Sequence, residues 1–452
     1  MLEDYRALPT VERVLRAVLA ARPEVTHARA REAARDAIDV ARDMLRAGRV
    51  TSTDAIVEDA LARTDAGAPS SLRPVINATG VILHTNLGRA PLSDRAIAAM
   101  AEVARGYSNL EFDLDAGHRG SRHDHARELL GRVTGAEDAI VLNNNASAVF
   151  ASLSEFASGR GVVVSRGQAV EIGGGFRIPD VVAQSGARIL EVGTTNRTYA
   201  RDYEAAIDYG TAAILRVHRS NFRIVGFTTE PTVEELATLA HARGLLLIDD
   251  LGSGALVPTE RFGLAHEPMV QESLAAGADL VLFSGDKLIG GPQCGIVAGR
   301  AGLVERLRRH PLSRVLRVDK TTLAALEATL DAYARDTYLD EVPVWRMLLA
   351  PLDRQRARAQ AWVEAAGAGT VVSARTMVGG GSLPEEGVGT WVASIPCGEG
   401  AARAASALRL GSPAIVARVE RGNLVLDPRT VDERDDATVA EALRPALEAT
   451  GA

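Results

Sequence analysis

Of the 51 basic residues in this chain only two are lysines, Lys287 and Lys320. A guanidinium keeps its proton inside proteins, so arginine cannot act as a nucleophile, whereas a lysine amine can once burial depresses its pKa. Lys287 lies in the stretch Asp279-Leu280-Val281-Leu282-Phe283-Ser284-Gly285-Asp286-Lys287-Leu288-Ile289-Gly290-Gly291-Pro292. An apolar run of strand length stops at Ser-Gly, presents Asp-Lys, and leaves through a glycine pair and a proline. A lysine held by such a turn at the edge of a buried sheet is a candidate for Schiff-base chemistry with a carbonyl cofactor. Taken alone, Gly-Asp-Lys is more often a surface turn.

Two other strand ends change that balance. Leu142 is followed by Asn143-Asn144-Asn145-Ala146-Ser147-Ala148, small polar residues entering a helix. Free N–H groups and the helix dipole at such a start suit a phosphate, although Asn and Ser are also ordinary caps. The run Leu245–Ile248 ends in Asp249-Asp250-Leu251-Gly252-Ser253-Gly254. A carboxylate at the end of a buried strand needs a cationic partner, and a pyridinium N–H is one. No set of histidines and carboxylates nearby supports a metal instead. A phosphate-binding helix start, a strand-end Asp and a later strand-end Lys together match what pyridoxal phosphate requires, in the order of its fold type I enzymes.

The elements that must position these residues follow from the apolar pattern. Residues 139–142, 161–164, 188–192, 213–217, 245–248 and 280–283 are short apolar runs, mostly too continuous for a one-sided antiparallel sheet. Amphipathic helices near 126–133, 146–157, 202–208 and 233–242 alternate with them. That alternation predicts an α/β fold with a mostly parallel central sheet covered on both faces. Before it, residues 1–70 read as a helical domain, with Ala30, Ala34, Ala37, Ala41 and Leu45 on one face, a stop at Gly48 and a second helix at 53–63. A linker is expected at Gly67–Ser71. The large domain is expected over 71–320. Residues 321–452 are expected to give linking helices, including one from Arg346 to about Glu364, and a small α+β domain with strands near 370–373 and 391–395, a helix near 401–408, a hairpin at 415–426 and a last helix near 439–448.

Bulk properties narrow the function class. The hydrophobic content of 46% with 24% charge is that of an ordinary globular protein, and 452 residues exceed one small core. Cys294 and Cys397 are the only cysteines. They form neither a disulfide framework nor a metal-ligand pattern, which fits a reducing compartment. No secretory signal pattern and no membrane-length apolar stretch is present, so a cytoplasmic protein is expected. The net charge of −7 argues against generic nucleic-acid affinity. The first 70 residues hold eleven arginines against twelve carboxylates, so composition does not make them an RNA-binding arm. Residues 300–320 carry seven basic and two acidic residues; Arg306, Arg308 and Arg309 fit a solvated helix face, Arg314 and Arg317 beside Pro311 less so. His118, His123 and His125 flank Arg119 and Arg122 in a polar stretch that suits a loop near the cofactor or a subunit interface better than a metal site. Gly379–Gly381 is either a hinge or a site of close backbone approach.

The chain resembles the bacterial selenocysteine synthases, the L-seryl-tRNA(Sec) selenium transferases, over nearly its whole length. The segments that carry the resemblance are Asn77-Ala78-Thr79-Gly80-Val81, His84 to Leu92, Tyr107-Ser108-Asn109-Leu110-Glu111, Asn143-Asn144-Asn145-Ala146, Ser165-Arg166-Gly167-Gln168, Glu171-Ile172-Gly173-Gly174 and Phe176-Arg177-Ile178-Pro179. Ser284-Gly285-Asp286-Lys287, Gly290-Gly291-Pro292-Gln293, His310 to Arg314, Arg317 to Lys320, Gly379 to Pro384 and Asp427-Pro428-Arg429-Thr430 complete the set.

The resemblance implies a fold type I pyridoxal phosphate enzyme that converts seryl-tRNA(Sec) to selenocysteinyl-tRNA(Sec) with selenophosphate, through a cofactor-bound dehydroalanyl-tRNA. Lys287 would hold the cofactor and shuttle a proton, with Asp286 beside it as a catalytic residue. Asp249 is the preferred pyridinium partner and Asp250 the alternative. Asn145, Ala146, Ser147 and Ser284 would hold the phosphate, and Gln168 would lie near the ring. Arg89, Arg314 and Arg317, with His84 close by, would receive selenophosphate. The N-terminal helices would engage tRNA, and the protein would form a homo-oligomer, a ring of dimers and by resemblance a decamer. The competing reading keeps the cofactor but acts on a small amino acid, as a lyase or aminotransferase.

Overall fold

The computed structural model describes residues 7–46, 50–65 and 71–448. The expected stop at Gly48 and most of the expected 67–71 linker fall outside the described residues. The chain divides into two compact units, 1–74 and 75–452.

In the first unit three helices, Val11–Ala21, His27–Arg46 and Thr53–Asp65, bury Val14, Leu15, Val18, Ala30, Ala34, Ala37, Ile38, Ala41, Ile56 and Ala60 against one another. The middle helix contributes mainly alanine, which lets helix axes approach closely with little side-chain entropy to lose. Thr10 caps the first helix by accepting from the Arg13 amide. That first helix adds a third member to the two read from the sequence.

The second unit is built on a seven-stranded sheet. Its order is Asp138–Leu142, Gly295–Gly299, Leu280–Ser284, Leu246–Gly252, Thr211–Val217, Gly161–Ser165 and Arg188–Val192. The last five of these are mutually parallel. The strand Gly295–Gly299 runs antiparallel to both its neighbours, so the sheet is mixed. Alternate side chains enter two separate cores. Ile214, Leu247 and Val281 lie on one face with the helix Val233–Ala242; Leu215, Ile248 and Leu282 lie on the other with the helix Asn145–Ala157. Burial on both faces explains the continuous apolar runs.

The C-terminal region contains a five-stranded sheet in the order Arg418–Glu420, Asn423–Leu426, Gly387–Pro396, Thr370–Gly379 and Val81–Leu83. Its last strand comes from the start of the unit, pairing in parallel with Thr370–Gly379. A further pair joins Val75–Asn77 to Ala414–Val416. The helix expected over Arg346–Glu364 is two helices, Pro343–Leu349 and Leu352–Ala366, because Pro351 supplies no N–H and disfavours helical backbone at the residue before it. No helix among the described residues is long and apolar enough to cross a membrane.

Candidate active site

Leu280–Ser284 is buried throughout and delivers Gly285, Asp286 and Lys287 to the carboxyl end of the sheet. The chain then turns back into Gly295–Gly299, and the turn is closed by the Gly285 amide donating to Cys294 O at 2.9 Å and the Gly291 amide donating to Gly285 O at 2.9 Å. A Cβ on Gly285 would stand 2.4 Å from Cys294 Sγ, so this thiol is packing against the turn. Burial pushes the Cys294 thiol far up, which makes it inert.

Lys287 is 4% exposed, and burial together with the Arg89 charge pushes its ammonium down to about 8, against the pull of Asp250, Asp286 and Glu267. About a tenth is then free amine at pH 7, against far less for an ordinary lysine, and this is the form that attacks a carbonyl. Asp286 is buried beside it and accepts from Arg89 Nη1 at 2.9 Å. Arg89 adopts φ +63° in the turn that follows Val81–Leu83, where its amide donates to His84 O at 3.0 Å. His84 and Arg89 are thus one structural unit, and His84 Nδ1 is buried without a hydrogen-bond partner among the described residues.

The two adjacent aspartates point to opposite faces, as alternation on a strand requires. Asp249 is fully buried and paired with Arg216 of the neighbouring strand, Nη1 to Oδ1 at 2.8 Å. Asp250 shares the face of Ile248, where the helix Asn145–Ala157 packs, and its Oδ1 accepts from Asn145 Nδ2 at 2.7 Å and from the Gly252 amide at 3.2 Å. Burial pushes Asp250 up to about 6, opposed by the Asn145 hydrogen bond and the Lys287 charge. Of the two carboxylates, Asp250 is the one that faces the lysine.

Asn145 opens its helix, and Asn144 caps it: the Asn144 side chain accepts from the Ser147 amide at 2.8 Å and from Ser147 Oγ at 3.0 Å. The Asn145 and Ala146 amides are left among the unpaired donors of the first turn. Ser284 lies two strands away in register, through Gly295 to Leu142. Gln168 is buried, and its Oε1 accepts from the Val217 amide at 3.1 Å, sealing the end of the strand before His218.

The triglycine turn is a close backbone approach. A Cβ on Gly379 would meet Leu83 O at 2.8 Å, one on Gly380 would meet Thr85 Oγ1 at 2.7 Å, and one on Gly381 would meet Lys287 Nζ at 2.6 Å. Gly381 also has φ +86°. Gly381→Ala is expected to displace the amine and weaken cofactor retention about tenfold or more, read by equilibrium titration; unchanged retention would mean that the turn does not bound the lysine.

Arg317 is bridged to Leu142, and the Asn143 amide donates to Leu316 O at 2.8 Å, which brings this arginine to the turn that leads into the helix Asn145–Ala157. Arg314 is exposed on the short helix Pro311–Val315. Glu111 carries no local signal of a role in the sequence, yet it gathers three arginines: Arg122 at 2.6 Å, Arg119 at 3.1 Å and Arg317 at 3.5 Å. The Arg122 hydrogen bond holds the Glu111 carboxyl below its ordinary range despite partial burial. Of the three histidines in this stretch, His125 Nε2 contacts Leu110 O at 3.1 Å, and burial with Arg308 and Arg122 pushes His123 down to about 4. No group of three or more metal-type ligands occurs among the described residues.

This arrangement fits pyridoxal phosphate. It offers a buried amine of lowered pKa, a carboxylate on the same face, helix-start amides beside that carboxylate, and glycine at the two positions, 252 and 381, where a Cβ would approach Lys287 Nζ.

Comparison with known proteins gives a consistent result. The family model of L-seryl-tRNA selenium transferase (SelA) matches residues 75–432. The L-seryl-tRNA(Sec) selenium transferase of Nitratidesulfovibrio vulgaris is 45% identical over 98% of this chain and 99% of its own length. That of Moorella thermoacetica is 50% identical over 84% of this chain and 83% of its own. Among solved structures, D-glucosaminate-6-phosphate ammonia-lyase superposes with a TM-score of 0.62 at 22% identity, covering 84% of this chain and 97% of that one, so the fold is shared. On its sequence the chain belongs to the L-seryl-tRNA selenium transferase family, and its architecture is that of the fold type I enzymes.

Proposed function

We propose that the protein converts L-seryl-tRNA(Sec) to L-selenocysteinyl-tRNA(Sec), with selenophosphate as selenium donor and pyridoxal phosphate as cofactor. The observation that carries the reading is the buried Lys287 on the same side of the sheet as Asp250, in a chain whose relatives are selenium transferases over nearly their full length. When bound, the cofactor supplies an electron sink that lets the seryl α-proton leave and the β-hydroxyl depart.

The protein's part is positioning and proton handling. Lys287 would hold the cofactor through its amine, and that amine is the group that would carry the α-proton. We assign Asp250 to the ring nitrogen in place of Asp249, because Asp249 is already committed to Arg216 on the opposite face. The amides of Asn145 and Ala146, with Ser147 and Ser284, hold the phosphate. Gln168 keeps the end of its strand in place through Val217. Arg89, held by Asp286, and Arg317, loosely held by Glu111, offer guanidinium forks to an anionic donor, with exposed Arg314 and His84 beside them. Asp286 keeps Arg89 oriented while its negative charge favours the protonated lysine.

The helices of residues 1–70 are assigned to tRNA engagement, residues 71–320 to the cofactor-binding domain and 321–452 to the linking helices and small domain. The working form is a cytoplasmic homo-oligomer, a ring of dimers with decamer the expected size. The test mixes purified protein, seryl-tRNA(Sec) and selenophosphate, with ordinary seryl-tRNA as control. Selenocysteinyl-tRNA is expected only from the former, and deleting the first 70 residues is expected to abolish tRNA(Sec) binding. Turnover of a free amino acid without that product would replace the proposal by the lyase or aminotransferase reading.

A further inference from the structure

Glu267 is 1% exposed and lies in the irregular segment before the helix Val270–Ala275. A buried carboxylate outside any regular element needs a reason, because desolvation disfavours its charge. Its backbone is pinned by the Glu267 amide donating to Thr259 Oγ1 at 3.0 Å, and Thr259 in turn donates to Ala265 O at 2.6 Å. The side chain looks inward. Oε2 accepts from the Leu383 amide at 3.2 Å, and Oε1 stands 3.4 Å from His218 Nε2. Oε1, His218 Nε2 and the Oγ of fully buried Ser253 have no well-aligned partner among the described residues. His218 follows the strand Thr211–Val217, and its amide donates to Asp250 O at 2.8 Å. Leu383 closes the triglycine turn with its side chain buried and its backbone at φ +48°. A non-glycine residue holds that conformation only when its surroundings enforce it.

We propose that Glu267 is a positioning residue for Lys287: it ties the Leu383 amide and His218 to one buried carboxylate, seats the triglycine turn against the amine, and supplies part of the negative charge around it. Gly381 is the link, since its Cα carries no methyl that would otherwise lie 2.6 Å from Nζ. The charged groups acting on Lys287 are Arg89, Asp250, Asp286 and Glu267; those acting on Glu267 include His218, with the Leu383 amide hydrogen-bonded to it and the Ser253 hydroxyl nearby. Burial raises the Glu267 carboxyl, but the His218 contact, the Ser253 hydroxyl and the Leu383 hydrogen bond outweigh it and hold the carboxyl below its ordinary range, so it is ionised at neutral pH.

The proposal rests on Lys287 holding the cofactor, and the two fail differently. In the full-length holoenzyme the pH midpoint of the cofactor's visible band is titrated, and exchange of the Leu383 amide is followed by hydrogen–deuterium mass spectrometry. Glu267→Gln removes the charge but keeps an acceptor, so the midpoint is expected to fall by about 0.5 unit or more while Leu383 stays protected. Glu267→Asp keeps the charge but loses reach, so the midpoint is expected to hold while Leu383 exchanges about tenfold faster. An unmoved midpoint in Glu267→Gln together with unchanged exchange in Glu267→Asp would overturn the role of Glu267. Absence of any lysine-dependent band in the unsubstituted protein would instead sink the assignment of Lys287.

Discussion

Lys287→Ala is expected to remove the covalently held cofactor band from the visible spectrum and to lower turnover by about 10³-fold or more, because the same amine anchors the cofactor and carries a proton. The unsubstituted protein should show a pH signature of the same group. Burial and Arg89 depress the Lys287 ammonium to about 8, so the fraction of free amine rises as pH rises through that value and levels off above it. The rate at which cofactor-free protein captures pyridoxal phosphate should follow this curve. A rate still climbing near pH 10, where an ordinary lysine titrates, would show the amine to be solvated and unactivated.

The second large effect separates the adjacent aspartates. Asp250→Asn keeps shape but removes the carboxylate facing the cofactor side, and turnover is expected to fall by about 10²–10³-fold with the thermal midpoint little changed. Asp249→Asn should do the reverse. It strips Arg216 of its buried partner, at a cost of about 3–5 kcal/mol of stability, and the residual folded protein should keep its cofactor chemistry. The pH dependence adds a sign. Burial raises Asp250 to about 6 in the cofactor-free protein, so below that pH the carboxylate becomes neutral and cofactor affinity should weaken; Asp250→Asn should lack that step. If Asp249→Asn proved the catalytic loss and Asp250→Asn the stability loss, the assignment would be inverted.

Why the sequence left these two residues unresolved is a matter of strand geometry. Neighbours on a strand face opposite ways, and only knowledge of which helix covers which face decides between them. Most of the sheet was legible because strands buried on both sides must be continuously apolar, and residues 188–192 match the observed strand at both ends. Gly295–Gly299 was missed for the complementary reason. Five residues bounded by glycine, directly after Gly-Gly-Pro-Gln-Cys, read as more of the same loop, yet the backbone turns back at once and pairs on both sides. The triglycine turn is visible in the sequence but its role is not, since hinge and close approach use the same residue type. Glu267 and His218 carried no local signal. Each is one polar residue in an irregular segment, and only the fold brings them to the Leu383 amide.

The scarcity of lysine takes on a different meaning once the structure is in view. One of the two side-chain amines is enclosed in the site, and the other, Lys320, donates to Gly106 O at 2.5 Å. A reactive aldehyde condenses with free amines wherever they are exposed. Here the remaining cationic surface is guanidinium, which keeps its proton and forms no such adduct under ordinary conditions. Depletion of lysine thus leaves Lys320 as the one other side-chain amine in the sequence with which an aldehyde could condense.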